Sequence, residues 1–246
     1  MLPQVKQTLR DVRLYHSAKE LETVIEFAKN NDLSFLDFLD ELLKFETTCR
    51  RKNKIKRHEK FANFPCIKTI DEFDFRFQTS VSKKDVNEWL TFSWLDNREN
   101  KILMGAPGVG KTHLALGIGF SAVHKGYRVL FKSMQTLMED MIIADRGGEF
   151  NSYLKKLHLF DLIIIDELGY LPLANACGNL FFQFINHCYE NKSLMITSNK
   201  MCSEWDTFFG DRTIAAAILD RLLHHSESIY LDGDSYRLKN IDKKNQ

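Results

Sequence analysis

Gly105-Ala106-Pro107-Gly108-Val109-Gly110-Lys111-Thr112 has the glycine spacing and the closing Lys-Thr of a chain segment that wraps a phosphate chain. Its glycines let the backbone turn so that several N–H groups face one anion. Lys111 is placed to reach the outer phosphates of a nucleotide, and the Thr112 hydroxyl can ligate Mg2+. With the adjacent His113, the stretch forms the expected nucleotide-binding segment, and the helix that follows points its positive end at the same phosphates. The alternative is a glycine-rich turn of no consequence. The pattern arises by chance in roughly one chain in a hundred of this length, and here it also sits between a predicted strand and a predicted helix.

Leu162-Ile163-Ile164-Ile165 is an apolar strand pattern that ends in Asp166-Glu167. A central strand aims its last side chains at the crevice beyond the carboxyl edge of the sheet. Asp166 is therefore expected in the Mg2+ shell, and Glu167 is expected to polarise a water for attack on the terminal phosphate of ATP. Met195-Ile-Thr-Ser-Asn199 closes the next strand, where Asn199 either orients that water or is only a turn residue. Ile214–Leu223 reads as an amphipathic helix interrupted by Asp220 and Arg221. Arg221 is either a surface cation or an arginine reaching a neighbouring subunit's nucleotide, with Asp220 steering it. Asp234-Ser-Tyr-Arg237 is ambiguous by itself.

These residues need a scaffold. From Lys101 onward the pattern alternates short apolar strands (101–104, 127–132, 161–166, 193–198, 228–231) with helices (111–125, 134–145, 150–158, 178–190, 213–224). That alternation predicts a parallel sheet covered on both faces. Before residue 65 the chain reads as helical. Ser17–Glu20 looks like a capping box, and Ser34 with Asp37 caps a second helix. Phe35, Leu36, Phe38, Leu39, Leu42, Leu43 and Phe45 give that second helix a broad apolar face, and it can run on into the basic block described next. Phe64–Ile70 resists helix and is a candidate linker, and a further helix is expected after Ser82, covering Val86, Trp89, Leu90 and Trp94.

The chain has 246 residues with 34 basic and 33 acidic side chains, so the net charge of +1 conceals local structure. Arg50, Arg51, Lys52, Lys54, Lys56, Arg57 and Lys60 stand against Glu59 alone, which suggests a localised anionic partner such as nucleic acid; the alternative is a solvated helix face. Hydrophobic residues make up 44% and charged residues 27%, which excludes a disordered or fibrous chain. No apolar run approaches the roughly 20 residues of a membrane span, and MLPQVKQTLRDVRLYH lacks a signal-peptide core, so a cytoplasmic, membrane-free protein is expected. Cys49, Cys66, Cys177, Cys188 and Cys202 fit neither a disulfide framework nor a zinc ribbon and are expected to be reduced and mostly buried. His224 and His225, if both helical, would point apart and could not share a metal.

Taken together, the chain resembles the IstB-like family, the helper ATPases of bacterial insertion sequences, which belong to the AAA+ ATPases and stand close to the DnaC helicase loaders. The likeness spans about residues 33–240 through FLDFLDELLKFE, FPCIKTIDEFDF, GAPGVGKTHLALGIG, LIIIDELGYLPL, ITSN, EWDTFFGD, AAILDRLLHHS and SYRLK. It implies an α/β AAA+ P-loop NTPase sandwich over 66–246, preceded by a helical module over 1–65 that carries the DNA-binding segment Arg50, Arg51, Lys52, Lys54, Lys56 and Arg57. It also implies that Asn199 senses the terminal phosphate, that Arg221 is the trans-acting arginine finger, and that Arg237 contacts the nucleotide in cis. ATP and Mg2+ are the implied cofactors. The implied partners are double-stranded DNA, a transposase of the same insertion sequence and further copies of the chain, acting in target selection and strand transfer. A DnaC-like helicase loader is the alternative. One departure is Cys188, at a position where the family commonly has an arginine before the Tyr-Glu pair.

Overall fold

The computed structural model describes residues 1–169 and 175–242. It divides into two compact units, Met1–Arg57 and His58–Gln246, with the division inside one long helix.

The first unit holds α1 (Leu2–Asp11), α2 (Tyr15–Asn30) and the start of α3 (Phe35–Ala62). Ser34 opens α3 as expected, accepting the Asp37 N–H at 3.2 Å and donating to its carboxylate at 2.6 Å. Ser17 does not cap α2. The helix starts two residues earlier, which leaves the Ser17 N–H among the unpaired donors of its first turn. The buried Glu46 carboxylate accepts that N–H at 2.8 Å, and the Ser17 hydroxyl donates to the Leu42 carbonyl at 3.0 Å. Burial pushes the Glu46 carboxyl up, but the Ser17 amide and the Arg50 guanidinium together outweigh it and hold it below the ordinary glutamate range. The expected apolar face of α3 is only partly used within this unit: Leu42 is buried, while Phe35, Leu36, Leu39, Leu43 and Phe45 are exposed. A unit this small has too little surface to bury a stripe that wide.

The second unit is a five-stranded parallel sheet covered by helices on both faces. Its strands are β1 (Asn100–Gly105), β2 (Val129–Ser133), β3 (Leu162–Leu168), β4 (Ser193–Ser198) and β5 (Ser226–Leu231), in the order β2-β3-β4-β1-β5. The helices are α4 (Lys83–Trp89), α5 (Ser93–Asp96), α6 (Lys111–Lys125), α7 (Met134–Arg146), α8 (Phe150–Leu157), α9 (Asn175–Cys188), α10 (Trp205–Phe209), α11 (Arg212–His224) and α12 (Tyr236–Asp242). The strands central to the sheet, β3, β4 and β1, are buried almost throughout because helices cover both faces. The core on one face gathers β-strand aliphatics with Phe181, Phe184, Trp205 and Phe209 from α9 and α10. The short α10, unmarked by any long periodic pattern, is held by this aromatic cluster and ends at Gly210 in the left-handed conformation.

On the other face, Phe64–Ile70 is irregular, as its residues suggest, yet it is packed. Phe64 and Ile70 lie against Gly119 and Gly117 of α6, where a Cβ on either glycine would meet them at 3.1 and 2.7 Å. The helix after Ser82 is shorter than expected. It is capped by Ser82, and the chain turns at Phe92, φ 65°, before α5. α4 and α5 carry Trp89 and Trp94, and the Lys101 ammonium lies 5.7 and 5.6 Å from their rings, paired with Glu227, its register partner on β5. Among the described residues no helix is long and apolar enough to cross a membrane.

The Lys101 pair supplies a stability test. Glu227→Ala leaves a buried ammonium without its counter-charge and should cost about 2 kcal/mol in urea denaturation, below the cost of a fully buried pair because Glu227 is half-exposed. Lys101→Met combined with Glu227→Gln should come within about 1 kcal/mol of the parent, since an apolar stem of similar volume replaces the pair.

Candidate active site

Because β4 lies between β1 and β3, the segments that follow these three strands converge on one crevice. The loop after β1 is the glycine segment. Gly105, Gly108 and Gly110 take φ of 144°, 86° and 105°, values that side chains rarely tolerate, and α6 begins at Lys111. Burial holds the Lys111 ammonium below the ordinary lysine range. Asp166 pulls it back up, Arg237 lowers it further, and Glu167 again raises it. The ammonium donates to the Gly105 and Ala106 carbonyls at 2.7 and 2.8 Å.

Asp166 at the end of β3 is buried and accepts the Thr112 hydroxyl at 2.9 Å. A threonine hydroxyl facing a carboxylate beneath a phosphate-binding loop is a donor set that fits Mg2+. Glu167 follows in an uncommon left-handed conformation, φ 64°, where the register with β4 shifts, and its side chain is exposed. Asn199 stands just past β4. Glu167, Thr197, Asn199 and Arg237 all line one cavity of about 730 Å³, together with Pro107–His113.

The rest of this cavity comes from parts of the chain that sequence reasoning did not assign to it. Phe73 packs edge-on to His113, with centroids 5.4 Å apart, and closes over Gly110. His113 Nε2 donates to the Thr69 carbonyl at 2.9 Å. Gln78 donates to the carbonyls of Val109 and Asp232, each at 3.0 Å, and so ties the loop to the end of β5. The Tyr236 N–H donates to the Gly108 carbonyl at 3.0 Å, and Lys239 pairs with Asp74 at 2.9 Å beneath the rings of Phe77 and Tyr236. Arg237 is thus carried to the cavity by a helix docked on the phosphate loop. These partners lie up to 165 residues apart, so no local pattern marks them. Thr197 also lines the cavity, and its one local signal is the Thr-Ser pair directly before Asn199.

Arg221 does not line this cavity. Its Nε donates to Asn186 at 3.1 Å, its terminal nitrogen donates to the Ala217 carbonyl at 2.9 Å, and its guanidinium lies 4.9 Å from the Phe182 ring. Asn186, not Asp220, therefore positions it. Cys188 beside it is buried, and burial pushes its thiol up to about 12. It is the one buried cysteine; Cys66 is exposed and the other three are intermediate, so the expectation of mostly buried thiols does not hold. His224 and His225 are not both helical. α11 ends between them, their rings are 4.0 Å apart, and their ligand atoms lie within 4.8 Å of one another and of Glu190. The expected divergence is corrected, but three exposed side chains do not by themselves make a metal centre. Of the basic block, Arg50 is engaged by Glu46 at 2.7 Å and by the Arg13 carbonyl, while Arg51, Lys52, Lys54, Lys56 and Arg57 are exposed. In the DELGYLPL motif, Tyr170, Leu171, Pro172 and Leu173 lie outside the described residues.

The family model described as IstB-like ATP binding protein matches residues 7–244. The chain belongs to the IstB-like ATP-binding protein family. It is 38% identical over 236 residues, 96% of its own length and 89% of the other's, to the IS21 insertion-sequence ATP-binding protein of Pseudomonas aeruginosa. It is 40% identical over 225 residues, 90% and 88% of the two lengths, to that of IS5376 from Geobacillus stearothermophilus. Among solved structures it is similar to AMPPCP-bound DnaA from Aquifex aeolicus (TM-score 0.56, 23% identity, 75% of this chain and about half, 55%, of that one). It is also similar to the DnaC helicase loader (TM-score 0.52, 17% identity, 72% and 99%). These likenesses show the AAA+ P-loop fold, and family membership makes the chain a P-loop ATPase of the kind associated with insertion sequences.

Gly108 tests the docking of the carboxy-terminal segment. A Cβ there would lie 2.1 Å from the Ser235 hydroxyl, on a backbone that disfavours side chains. Gly108→Ala should weaken binding of a fluorescent ATP analogue by about tenfold or more, the equivalent of the roughly 1–2 kcal/mol of left-handed strain plus the contact. Adding Ser235→Gly should recover part of that loss.

Proposed function

We propose that this IstB-like ATPase binds ATP with Mg2+ in the cavity beneath its glycine loop, assembles on double-stranded DNA, and assists a transposase of its insertion sequence in selecting a target and transferring strands. The observation that carries the nucleotide reading is the Thr112–Asp166 contact at 2.9 Å, directly below the loop and beside Glu167, Asn199 and Arg237. In this reading Gly105–Thr112 and His113 surround the phosphates, Lys111 neutralises the outer ones, and Thr112 and Asp166 hold Mg2+, which supplies charge neutralisation for the transferring phosphoryl group. Glu167 takes a proton from the attacking water, Asn199 orients that water, and Arg237 contacts the nucleotide in cis. Arg221 serves a neighbouring copy; its position outside its own cavity and its firm seating on Asn186 and Phe182 support this role. The relatives' names speak of insertion sequences, which favours the transposition reading; the likeness to a helicase loader concerns the fold alone.

Two experiments test this. Lys111→Ala should lose nucleotide binding and Arg221→Ala should keep it, and both should lose ATP turnover. Mixing them should restore partial turnover, because some interfaces then combine an intact Lys111 with an intact Arg221. No recovery in demonstrated mixed oligomers rules out the trans role.

The exposed cations Arg51, Lys52, Lys54, Lys56 and Arg57 are the proposed DNA contacts, and Arg50, the remaining proposed contact, is shared with Glu46. Reversing Arg51, Lys54 and Arg57 to Glu should weaken binding to all DNA sequences alike and flatten the log–log salt slope by about 0.9 per lost phosphate contact. An unchanged slope assigns the block to a solvated face.

A further inference from the structure

Thr197 occupies a distinctive place beside the two acids. It is 1% exposed, near the end of β4, and its hydroxyl both donates and accepts, on two consecutive residues of the neighbouring strand. It donates to the Asp166 carboxylate at 2.5 Å and accepts the Glu167 N–H at 3.0 Å. A hydroxyl has one proton, so pointing it at Asp166 leaves the oxygen lone pairs to face Glu167. Each bond therefore orients the other.

What this oxygen holds is unusual. Glu167 has φ 64°, in the left-handed region that favours glycine, and the strand register shifts between Ile165 and Leu168. The next residue of β4 grips the other side of the same irregularity, with the Ser198 hydroxyl donating to the Leu168 carbonyl at 2.9 Å. A regular strand would turn successive side chains to opposite faces of the sheet. The bulge breaks that alternation, and both Asp166 and Glu167 serve one crevice. Asp166 in turn receives the Thr112 hydroxyl, so Thr197 completes a chain of bonds from α6 through β3 to β4.

We propose that Thr197 is a positioning residue of the ATPase site, its hydroxyl holding Asp166 in place for the metal and pinning the Glu167 backbone in the bulge that aims its carboxylate at the attacking water. This rests on the reading of Asp166 and Glu167 given above. It concerns the hydroxyl and not the shape of the side chain, since valine has the same outline with neither donor nor acceptor.

The test compares Thr197→Val with Thr197→Ser in the full chain through three readouts: ATP turnover, affinity for a fluorescent ATP analogue in EDTA and in Mg2+, and hydrogen exchange of the segment containing the Glu167 amide. Thr197→Val should lower turnover roughly 10–100-fold, on the scale of a displaced general base. Affinity in EDTA should stay within about twofold, because the phosphate cradle is untouched, while the gain in affinity on adding Mg2+ shrinks. Exchange at Glu167 should accelerate at least about tenfold as the amide loses its acceptor. Thr197→Ser, which keeps the hydroxyl, should restore all three. Parent-like turnover and exchange in Thr197→Val, or a serine variant as impaired as the valine one, overturns the proposal. Should Thr197→Val not fold, Thr197→Ala is read by the same measurements. Glu167→Gln is the control for the underlying reading. If it turns over normally, Glu167 is not the base, and the exchange and Mg2+ readouts still decide the role of Thr197. If Glu167→Gln is inactive while Thr197→Val behaves as the parent, only the present inference fails.

Discussion

A carboxylate taken out of water must be met by donors, and the active crevice is arranged around that requirement at Asp166. Its side chain is buried at the end of β3 and is met from two directions, by Thr112 at the start of α6 and by Thr197 on β4. These two hydroxyls belong to the phosphate loop's own helix and to the strand that carries Asn199. The carboxylate therefore fixes the distance between the element proposed to bind phosphates and the elements proposed to act on them. The strand order makes this possible, because β4 runs between β1 and β3 and brings its polar end into the gap.

Around this centre the cavity is closed by segments with no sequence continuity. Residues 69–78 and the turn into α12 approach the glycine loop from two sides and are bonded to it, Gln78 to Val109 and Tyr236 to Gly108. The carbonyls of a tight loop need donors, and those donors come from distant parts of the chain. The left-handed glycines thus have a second consequence besides exposing N–H groups. They leave room for Ser235 and Phe73 to come within contact of the backbone, which any Cβ at Gly108 or Gly110 would prevent.

Charge in this molecule is arranged locally. The near-zero total covers a helix segment with seven exposed cations, the first of which, Arg50, is tied to Glu46. Glu46 itself completes the first turn of α2, so that basic side chain is shared between holding two helices together and facing outward. Arg221 shows the same economy. Its guanidinium is held by an amide, a carbonyl and an aromatic ring, which keeps a long side chain in one orientation without an opposing carboxylate.

The features legible in the sequence were those whose physics is local. The glycine loop, the apolar runs that lead into Asp166 and Ser198, α6 and the Ser34 cap each depend on residues a few positions apart, where steric freedom, alternation and reach to the nearest N–H are set by the chain itself. Where local chemistry allowed two outcomes, only the tertiary structure decided. Ser17 had the residue type of a cap, but a carboxylate 29 residues away took over that function. Phe64 looked like part of a linker until the space above Gly119 was available to it. His224 and His225 came together because α11 stops between them. The role of Thr197 is hidden for the same reason: a hydroxyl in a strand has no meaning until the neighbouring strand supplies both a buried carboxylate to accept its hydrogen bond and a backbone N–H to donate one to it.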